Sequence, residues 1–502
     1  MKILTVEQIR ALDSFTIAHE PIRSADLMER ASNAFVKWFI QHFSGRDNQS
    51  IVIFCGQGNN GGDGLAVARL LTQKFFEVRV YICRIGDRTS RDFELNLKRL
   101  PRRRGVPVSE IQEADSFPVI SPDTILIDAI FGSGLNRPLS GYWATLINYL
   151  NELPNQRIAI DIPSGLFAEK HTSGVAMHAD YTLSFELPKL AFFFPENYKK
   201  VGQCFIQPIG LSTDFIEKAE TLNYMITPNL IYPLLQKRKK YDHKGTFGHA
   251  LLIVGSRGKM GAALLAAKAC LRSGAGLLTV YVPSSGYNIL QLGCPEAMVL
   301  EDPDALVITQ FPDPGTYRSI GMGCGVGTSE QTGSALFQLI EKAKMPLVLD
   351  ADALNLLAAH PEWLSKLPPL SILTPHPKEF ERIFGKSAND FERNELQRKK
   401  AAVLNCIIVL KGANTCVAFP NGSCYFNTSG NPGMATGGSG DVLTGMITGM
   451  LARGCKPQSA TLMAVYLHGL AGDLACKELG EESLIAGDII AFIPNAIKEV
   501  FH

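Results

Sequence analysis

The chain has 502 residues, more than one hydrophobic core usually organises, so two domains are expected. Hydrophobic residues make up 46% and charged residues 19%, an ordinary globular balance. A net charge of +1 leaves no overall field to recruit nucleic acid or an acidic membrane. Eleven cysteines lie scattered without a C-x-x-C pair, several in apolar runs (Cys55, Cys83, Cys406), which favours reduced thiols over disulfides or zinc. The opening MKILTVEQIRALDS lacks an apolar signal core, and no apolar run approaches the ~18 residues of a membrane helix. A soluble, cytoplasmic chain is expected.

Helical spacing runs through roughly 5–20 and 24–43. Strand-like runs follow at 51–55 (IVIFC), 78–83 (VRVYIC), 125–132 (ILIDAIFG) and 157–163 (RIAIDIP), with a helix opening near Asp63 between the first two. That alternation predicts a parallel α/β sheet, closed by YTLSF at 181–185 and CFIQPIG at 204–210. Periodicity weakens from about 212 to 245, where KRKK at 237–240 reads as a solvated linker or rim; RRR at 102–104 reads the same way. The expected division is 1–215, a linker at 216–235, and 236–502. A second α/β series then runs through 249–256, 260–273, 276–283, 346–354, 371–377 and 406–412. A hairpin is predicted at 417–426, turning through a type I′ Asn421-Gly422 pair. The methionines around Met446 and Met450 read as core.

Residues 56–64, GQGNNGGDG, lie between a strand and a helix. Gly56, Gly58 and Gly61 fit a dinucleotide-binding fingerprint with Glu77 as the ribose ligand. Against that reading, Asp63 sets a carboxylate at a helix N-terminus, where a pyrophosphate needs free amides. The glycines also serve if they only permit a tight turn. Two further polar clusters end predicted strands: Asp128 with GSGLNRP at 132–138, and Asp161 with Pro163 and Ser164. A lone Asp in such a place is usually a helix cap; three clusters at one sheet edge point to a site. Oxygen and amide donors without histidine or thiolate suit a hard cation.

This combination resembles the NAD(P)H-hydrate epimerase family, through IRALD, LMERAS, NNGGDG, DAIFGSGL, IDIPSG and ELPK over roughly residues 1–215. The resemblance implies a Rossmann-like three-layer α/β/α domain. It implies a ligand site at Asn59, Asn60, Gly61, Gly62, Asp63, Gly132, Ser133, Gly134, Leu135, Asn136, Arg137, Pro138 and Asp161. It also implies a potassium ion on Asn60, Asp128 and Ser164, and acid/base work by Asp161 with Lys189. The plain alternatives are a surface lysine at 189 and a binding module without catalysis.

The segment NPGMATGGSGDVLTG, 431–445, frees backbone amides before a helix, an arrangement that cradles phosphate. Asp441 sits at the loop-to-helix boundary, as a cap or as a base. HKGTFGHALLIVGS, DADALNLL, LTPHPKEFERIFG, VLKGANTCVA, GGSGDVLTG and HGLAGDLA resemble the ADP/ATP-dependent NAD(P)H-hydrate dehydratase family over roughly 230–500. The resemblance implies a ribokinase-like α/β/α domain using Mg2+ with ADP or ATP. Lys411, Gly412, Ala413, Asn414, Thr415 and Gly440 would touch the nucleotide, and Ala262, Gly325, His376 and Asp441 the hydrated cofactor, with Asp441 catalytic. Position 324 departs from the family's usual proline: it is Cys324. His376, between two prolines, also suits a rigid turn, and His468 suits simple packing. The expected substrates are NADHX, NADPHX and ADP or ATP, with no nucleic-acid or membrane partner, in a homo-oligomer. A conventional kinase of a vitamin-like alcohol remains the rival reading.

Overall fold

The computed structural model describes residues 1–43, 49–100 and 105–501; the RRR run at 102–104 falls outside the described residues. The chain divides into two compact units, one of Lys2–Thr221 with Asn389–Phe391, the other of Met1, Leu222–Ala388 and Glu392–His502. The dividing point lies inside the segment read as a linker, 216–235. Its second half is ordered into the larger unit, where Ile226, Ile231 and Leu235 are buried in the core.

The smaller unit runs α1 (Val6–His19), α2 (Ser24–His42), β1 (Ile51–Cys55), α3 (Asn59–Gln73), β2 (Val78–Cys83), α4 (Arg91–Arg99), β3 (Val108–Ile111) and β4 (Ile125–Ala129). It continues with α5 (Gly141–Glu152), β5 (Arg157–Ile160), β6 (Tyr181–Phe185), α6 (Tyr198–Val201), β7 (Gln203–Gln207) and α7 (Thr213–Lys218). The strands form a parallel sheet in the order β3-β2-β1-β4-β5-β6-β7. Alternate residues of β1 serve opposite faces: Ile51 and Ile53 pack with Phe35 and Phe39 of α2, Val52 and Phe54 with Leu146 and Leu150 of α5. Order reverses between β1 and β4, so the crevice beyond their carboxyl ends is the natural ligand position.

The larger unit runs β8 (Asn223–Met225), α8 (Pro228–Ile231), β9 (His249–Ile253), α9 (Met260–Arg272), β10 (Leu277–Pro283), α10 (Tyr287–Gly293), β11 (Met298–Asp302), β12 (Ser319–Met322), α11 (Glu330–Lys342) and β13 (Leu347–Leu349). Then come α12 (Ala351–Ala359), β14 (Ile372–Leu373), α13 (Pro377–Phe384), α14 (Asp390–Leu404), β15 (Ile407–Leu410), β16 (Cys416–Ala418), β17 (Cys424–Phe426), α15 (Ser439–Ala452), α16 (Pro457–Leu479) and α17 (Ala486–Phe501). The sheet order is β11-β10-β9-β12-β13-β14-β15-β16-β17-β8, with β16 antiparallel to both its neighbours and β8 pairing parallel to β17 at the edge. Leu251 and Ile253 pack towards α11 and α12, Ala250 and Leu252 towards α9, which makes helix layers on both faces. Met446 and Met450 are buried in the α15–α17 core.

Three local expectations are corrected. The hairpin of β16 and β17 forms, but not on a type I′ turn: Gly422 alone of the pair has positive φ (+84°), and Asn421 Oδ1 instead accepts from Ser423 N at 3.0 Å. Helix α3 opens at Asn59 rather than near Asp63, because extended Gly58 already ends the turn and acts as its N-cap. Glu77 precedes β2 and is exposed, at the strand's amino end, away from the carboxyl end where a ribose ligand would stand. KRKK at 237–240 is exposed, and Arg238 lies 4.1 Å over the Phe247 ring.

Candidate functional sites

In the smaller unit a cavity of about 990 Å3 opens at the β1/β4 crevice. Asn59, Asn60 and Asp63 of α3, Gly132 to Leu135 of the loop after β4, Asp161 after β5 and Lys189 line it. Gly61 and Gly62 are buried beneath the wall: a Cβ on Gly61 would stand 1.7 Å from the Gly56 carbonyl oxygen, so α3 sits on that turn only without a side chain. Gly56 is bound in the same way, since its Cβ would stand 1.9 Å from the Ile130 oxygen. The glycines thus set the close approach of loop and helix. Asn136, Arg137 and Pro138 are exposed and do not line the cavity; Asn136 O accepts from Lys170 Nζ at 3.1 Å.

Asp161 has a φ of +64°, a left-handed conformation that Asp tolerates better than most residues. One of its carboxylate oxygens accepts from Phe185 N at 3.1 Å and from Lys189 Nζ. Lys189 is only 2% exposed and also donates to Ser184 Oγ at 2.7 Å. It is a buried member of the site, not a surface lysine. Burial, reinforced by Asp161 and Asp13, pushes the Asp63 carboxyl well above the carboxylate range.

Beside the cavity, Asp128 accepts from Ser164 Oγ at 2.5 Å, Ser164 N at 2.7 Å and Ile130 N at 3.2 Å. Asn60 Nδ2 donates to Phe131 O at 3.2 Å, and Phe131 N to Ser164 Oγ at 2.8 Å. Asn60, Asp128 and Ser164 are therefore one buried cluster. The partners of Asp128 are amides and a hydroxyl, none positively charged, and burial raises its carboxyl to about 6 against their pull. A buried anion among oxygen donors, without a basic side chain bonded to it, is the setting a monovalent cation completes.

In the larger unit the polar groups again gather at strand carboxyl ends. Asp350 follows β13 and is 1% exposed. Its Oδ1 accepts from Lys411 Nζ at 2.7 Å, after β15, and its Oδ2 from Thr444 Oγ1 at 2.7 Å, on α15. A Cβ on Gly440 would lie 3.4 Å from Lys411 Nζ and 3.5 Å from Asp350 Oδ2, which sets the start of α15 against this pair. Gly438 caps that helix in a left-handed conformation at φ +95°. Asp441 is its third residue, and it accepts from the Cys324 thiol. Burial raises the Asp441 carboxyl above its ordinary value; the thiol bond and Lys411 work against the rise, Asp350 and Asp352 with it. The Cys324 thiol is driven well above its usual range by burial and the two aspartates, so it stays a proton donor.

His376 N-caps α13, its Nδ1 accepting from Lys378 N at 3.1 Å and Glu379 N at 3.2 Å. That leaves Nε2 to carry the proton. The turn after β15 is exposed at Gly412 and Ala413, with Gly412 N donating to Thr415 Oγ1 at 3.3 Å. Gly325 and Ala262 are neighbours, 3.3 Å apart if Gly325 carried a Cβ. His468 Nε2 lies 3.0 Å from the Ser439 carbonyl, and burial lowers its pKa to about 4; neutral, it pins the first residue of α15. Asp350 and Thr444 were not singled out from sequence. Asp350 sits inside the DADALNLL segment, where a strand-end Asp reads equally as a helix cap, and it does cap α12.

Residues 24–191 match the family described as YjeF-related protein N-terminus, and residues 250–495 the one described as NAD(P)H-hydrate dehydratase. The bifunctional NAD(P)H-hydrate repair enzyme of Moorella thermoacetica is 35% identical over 100% of this chain and 97% of its own. The chain belongs to the bifunctional NAD(P)H-hydrate repair enzyme family. The enzyme of that name from Coxiella burnetii is 34% identical, with 96% of each chain covered. Among solved structures, the ADP/ATP-dependent NAD(P)H-hydrate dehydratase of Bacillus subtilis, co-crystallised with ATP/Mg2+, is similar at 36% identity, covering 55% of this chain and 98% of that one, with a TM-score of 0.49.

Proposed function

We infer that this member of the repair family interconverts the R and S hydrates of NADH and NADPH in its smaller unit. In its larger unit it dehydrates the S form back to the dihydronicotinamide at the expense of ADP or ATP. The observation that carries the second activity is Asp441, set on the first turn of α15 beside the Asp350–Lys411 pair. Hydroxide is a poor leaving group and phosphate a good one. Asp441 takes the proton of the C6 hydroxyl as that oxygen attacks the terminal phosphorus of the nucleotide. The amides at the start of α15 and the Lys411 ammonium face the charge that spreads over the moving phosphoryl group. The ring nitrogen's lone pair then expels phosphate, and loss of a C5 proton restores the double bond. Gly412 to Thr415 and Gly440 are assigned to the nucleotide; Ala262, Gly325 and His376 are assigned to the hydrated cofactor.

Magnesium bound with the nucleotide would offset phosphate charge. In the smaller unit Asp161, held by Lys189, is the acid/base group. Asn59 to Asp63 and Gly132 to Pro138 are assigned to the ligand, and potassium to Asn60, Asp128 and Ser164, where it supplies the charge that buried Asp128 lacks. Eleven unpaired cysteines, eight of them buried, fit a reducing compartment. No helix among the described residues is long and apolar enough to cross a membrane.

The test is product identity. Mixed NADHX epimers with ADP and Mg2+ should be consumed completely, giving NADH, AMP and phosphate in equal amounts. A stable phosphorylated alcohol would establish a conventional kinase instead, and net hydride transfer a dehydrogenase.

A further inference from the structure

Inverting C6 by loss and return of its hydroxyl poses a geometric problem. The leaving oxygen departs from one face of the ring and water arrives at the other. One carboxyl cannot serve both faces of a bound, planar intermediate. Asp161 is anchored after β5 by Lys189 Nζ and Phe185 N. A second proton-handling group is required from another wall of the cavity.

We propose that Asp13 of α1 is this second acid/base residue, working across the cavity from Asp161. The inference rests on the smaller unit being the epimerase. Asp13 lines the cavity together with Asp63, Asp161 and Lys189, but comes from a different element. Helix α1 is fixed at its start by the capping box of Thr5 and Gln8, and on its inner face by buried Leu12 and Thr16. Thr16 Oγ1 accepts from Ser212 N at 3.0 Å. Asp13 is thus mounted on a rigid support.

Among the described residues no hydrogen-bond donor is spent on the Asp13 carboxyl, in contrast to Asp161 and Asp128. Burial, with the nearby charge of Asp161, raises it to about 6, and Lys189 acts in the opposite direction. A group titrating there can both give and take a proton near neutrality. Asp63 also lines the cavity wall, but burial pushes its carboxyl well above the ordinary carboxylate range, which favours the protonated form over the base. The remaining charged groups of the wall are Arg10 on α1 itself, Asp87 and Arg88 before α4, and Asp92 on α4.

The step balances without any further reagent. Protonated Asp13 gives its proton to the C6 hydroxyl, the C6–O bond breaks, and water leaves as the N1 lone pair forms a C6–N1 double bond. On the opposite face a water oxygen bonds to C6 while Asp161 takes its proton, and the double-bond pair returns to N1. The hydrate is inverted, Asp13 is an anion and Asp161 is protonated. Loss of the Asp161 proton to solvent water and uptake of one by Asp13 resets the pair for another turnover in the same direction, and the reverse reaction resets it directly.

The test follows epimer exchange chromatographically with the full-length protein and no nucleotide, subtracting the uncatalysed rate. D13N should lower kcat by about 100-fold or more with KM little changed, while ADP-dependent dehydration of the S epimer persists. D13E, which keeps a carboxyl, should exceed D13N by about tenfold. The wild-type rate should fall as pH rises through about 6, where Asp13 loses the proton it donates, and D13N should lack that limb. Wild-type exchange in D13N would overturn the proposal. So would a D13E no better than D13N, or a loss expressed only in KM or in a lowered Tm, since each assigns Asp13 a structural part. A wild-type protein without exchange would instead refute the epimerase reading.

Discussion

Lys411 and Asp350 face each other across the carboxyl ends of β15 and β13, Nζ to Oδ1 at 2.7 Å, while Thr444 fastens the second carboxylate oxygen to α15. Burial works against the Lys411 charge, yet Asp350 and the more distant Glu379 carboxylate hold its pKa above the ordinary value. The pair therefore joins two strand ends to the helix that carries Asp441. Lys411→Met leaves a buried carboxylate without its partner, so global stability should fall by about 3 kcal/mol in chemical denaturation. Adding Asp350→Asn should recover part of the loss. A single variant as stable as the wild type would mean the pair is solvated and contributes no support.

Asp441→Asn should abolish dehydration, a fall of about 1,000-fold or more in kcat, while R–S exchange stays at the wild-type rate. Both are read from one preparation by supplying or withholding ADP. Parallel loss of the two activities would contradict separate sites.

Cys324 donates to the Asp441 carboxylate and so holds its pKa lower than burial alone would set it. The base acts ionised, so the dehydration rate should rise with pH through the Asp441 pKa. Cys324→Ala removes the donor and should move that limb upward; Cys324→Ser should leave it near its original place. A downward movement would show that the thiol does not stabilise the carboxylate.

Much of this was readable in the residues. Apolar runs located the buried strands because a parallel strand is covered on both faces, as β1 and β9 are. The strand-end aspartates of the smaller unit gather at one sheet edge, where Asp161 lines the cavity. The strands missed were those whose sequence lacks that signature: β3, β8 and β11 at sheet edges, and β12, where Gly321 makes room for Thr448 of α15. Lys189 was ambiguous because burial of a lysine is decided by partners remote in sequence, here Asp161. Asp350 was hidden because its capping and its ion pair leave the same letter. Glu77 shows that a motif gives spacing along the chain, not which end of the strand a residue occupies. Asn421 shows the limit of turn signatures, since its side chain satisfied Ser423 without the left-handed backbone that type I′ demands.

The Asp128 cluster predicts an ion-specific effect. Potassium should raise the Tm of the wild type and accelerate R–S exchange relative to equimolar tetramethylammonium. Asp128→Asn, which removes the buried charge, should erase the difference. Equal potassium dependence in the variant would remove Asp128 from the cation site.

The central claim is that the C6 oxygen becomes phosphorylated before it leaves the ring. NADHX prepared in H2(18)O carries the label in that hydroxyl, and the phosphate released with ADP by the Asp161→Asn variant, in which R–S exchange with solvent oxygen is blocked, can be examined by mass spectrometry. Label appearing in the inorganic phosphate, one atom per turnover, is the predicted result. Unlabelled phosphate with the heavy oxygen in water would mean that the hydroxyl leaves without ever meeting the nucleotide.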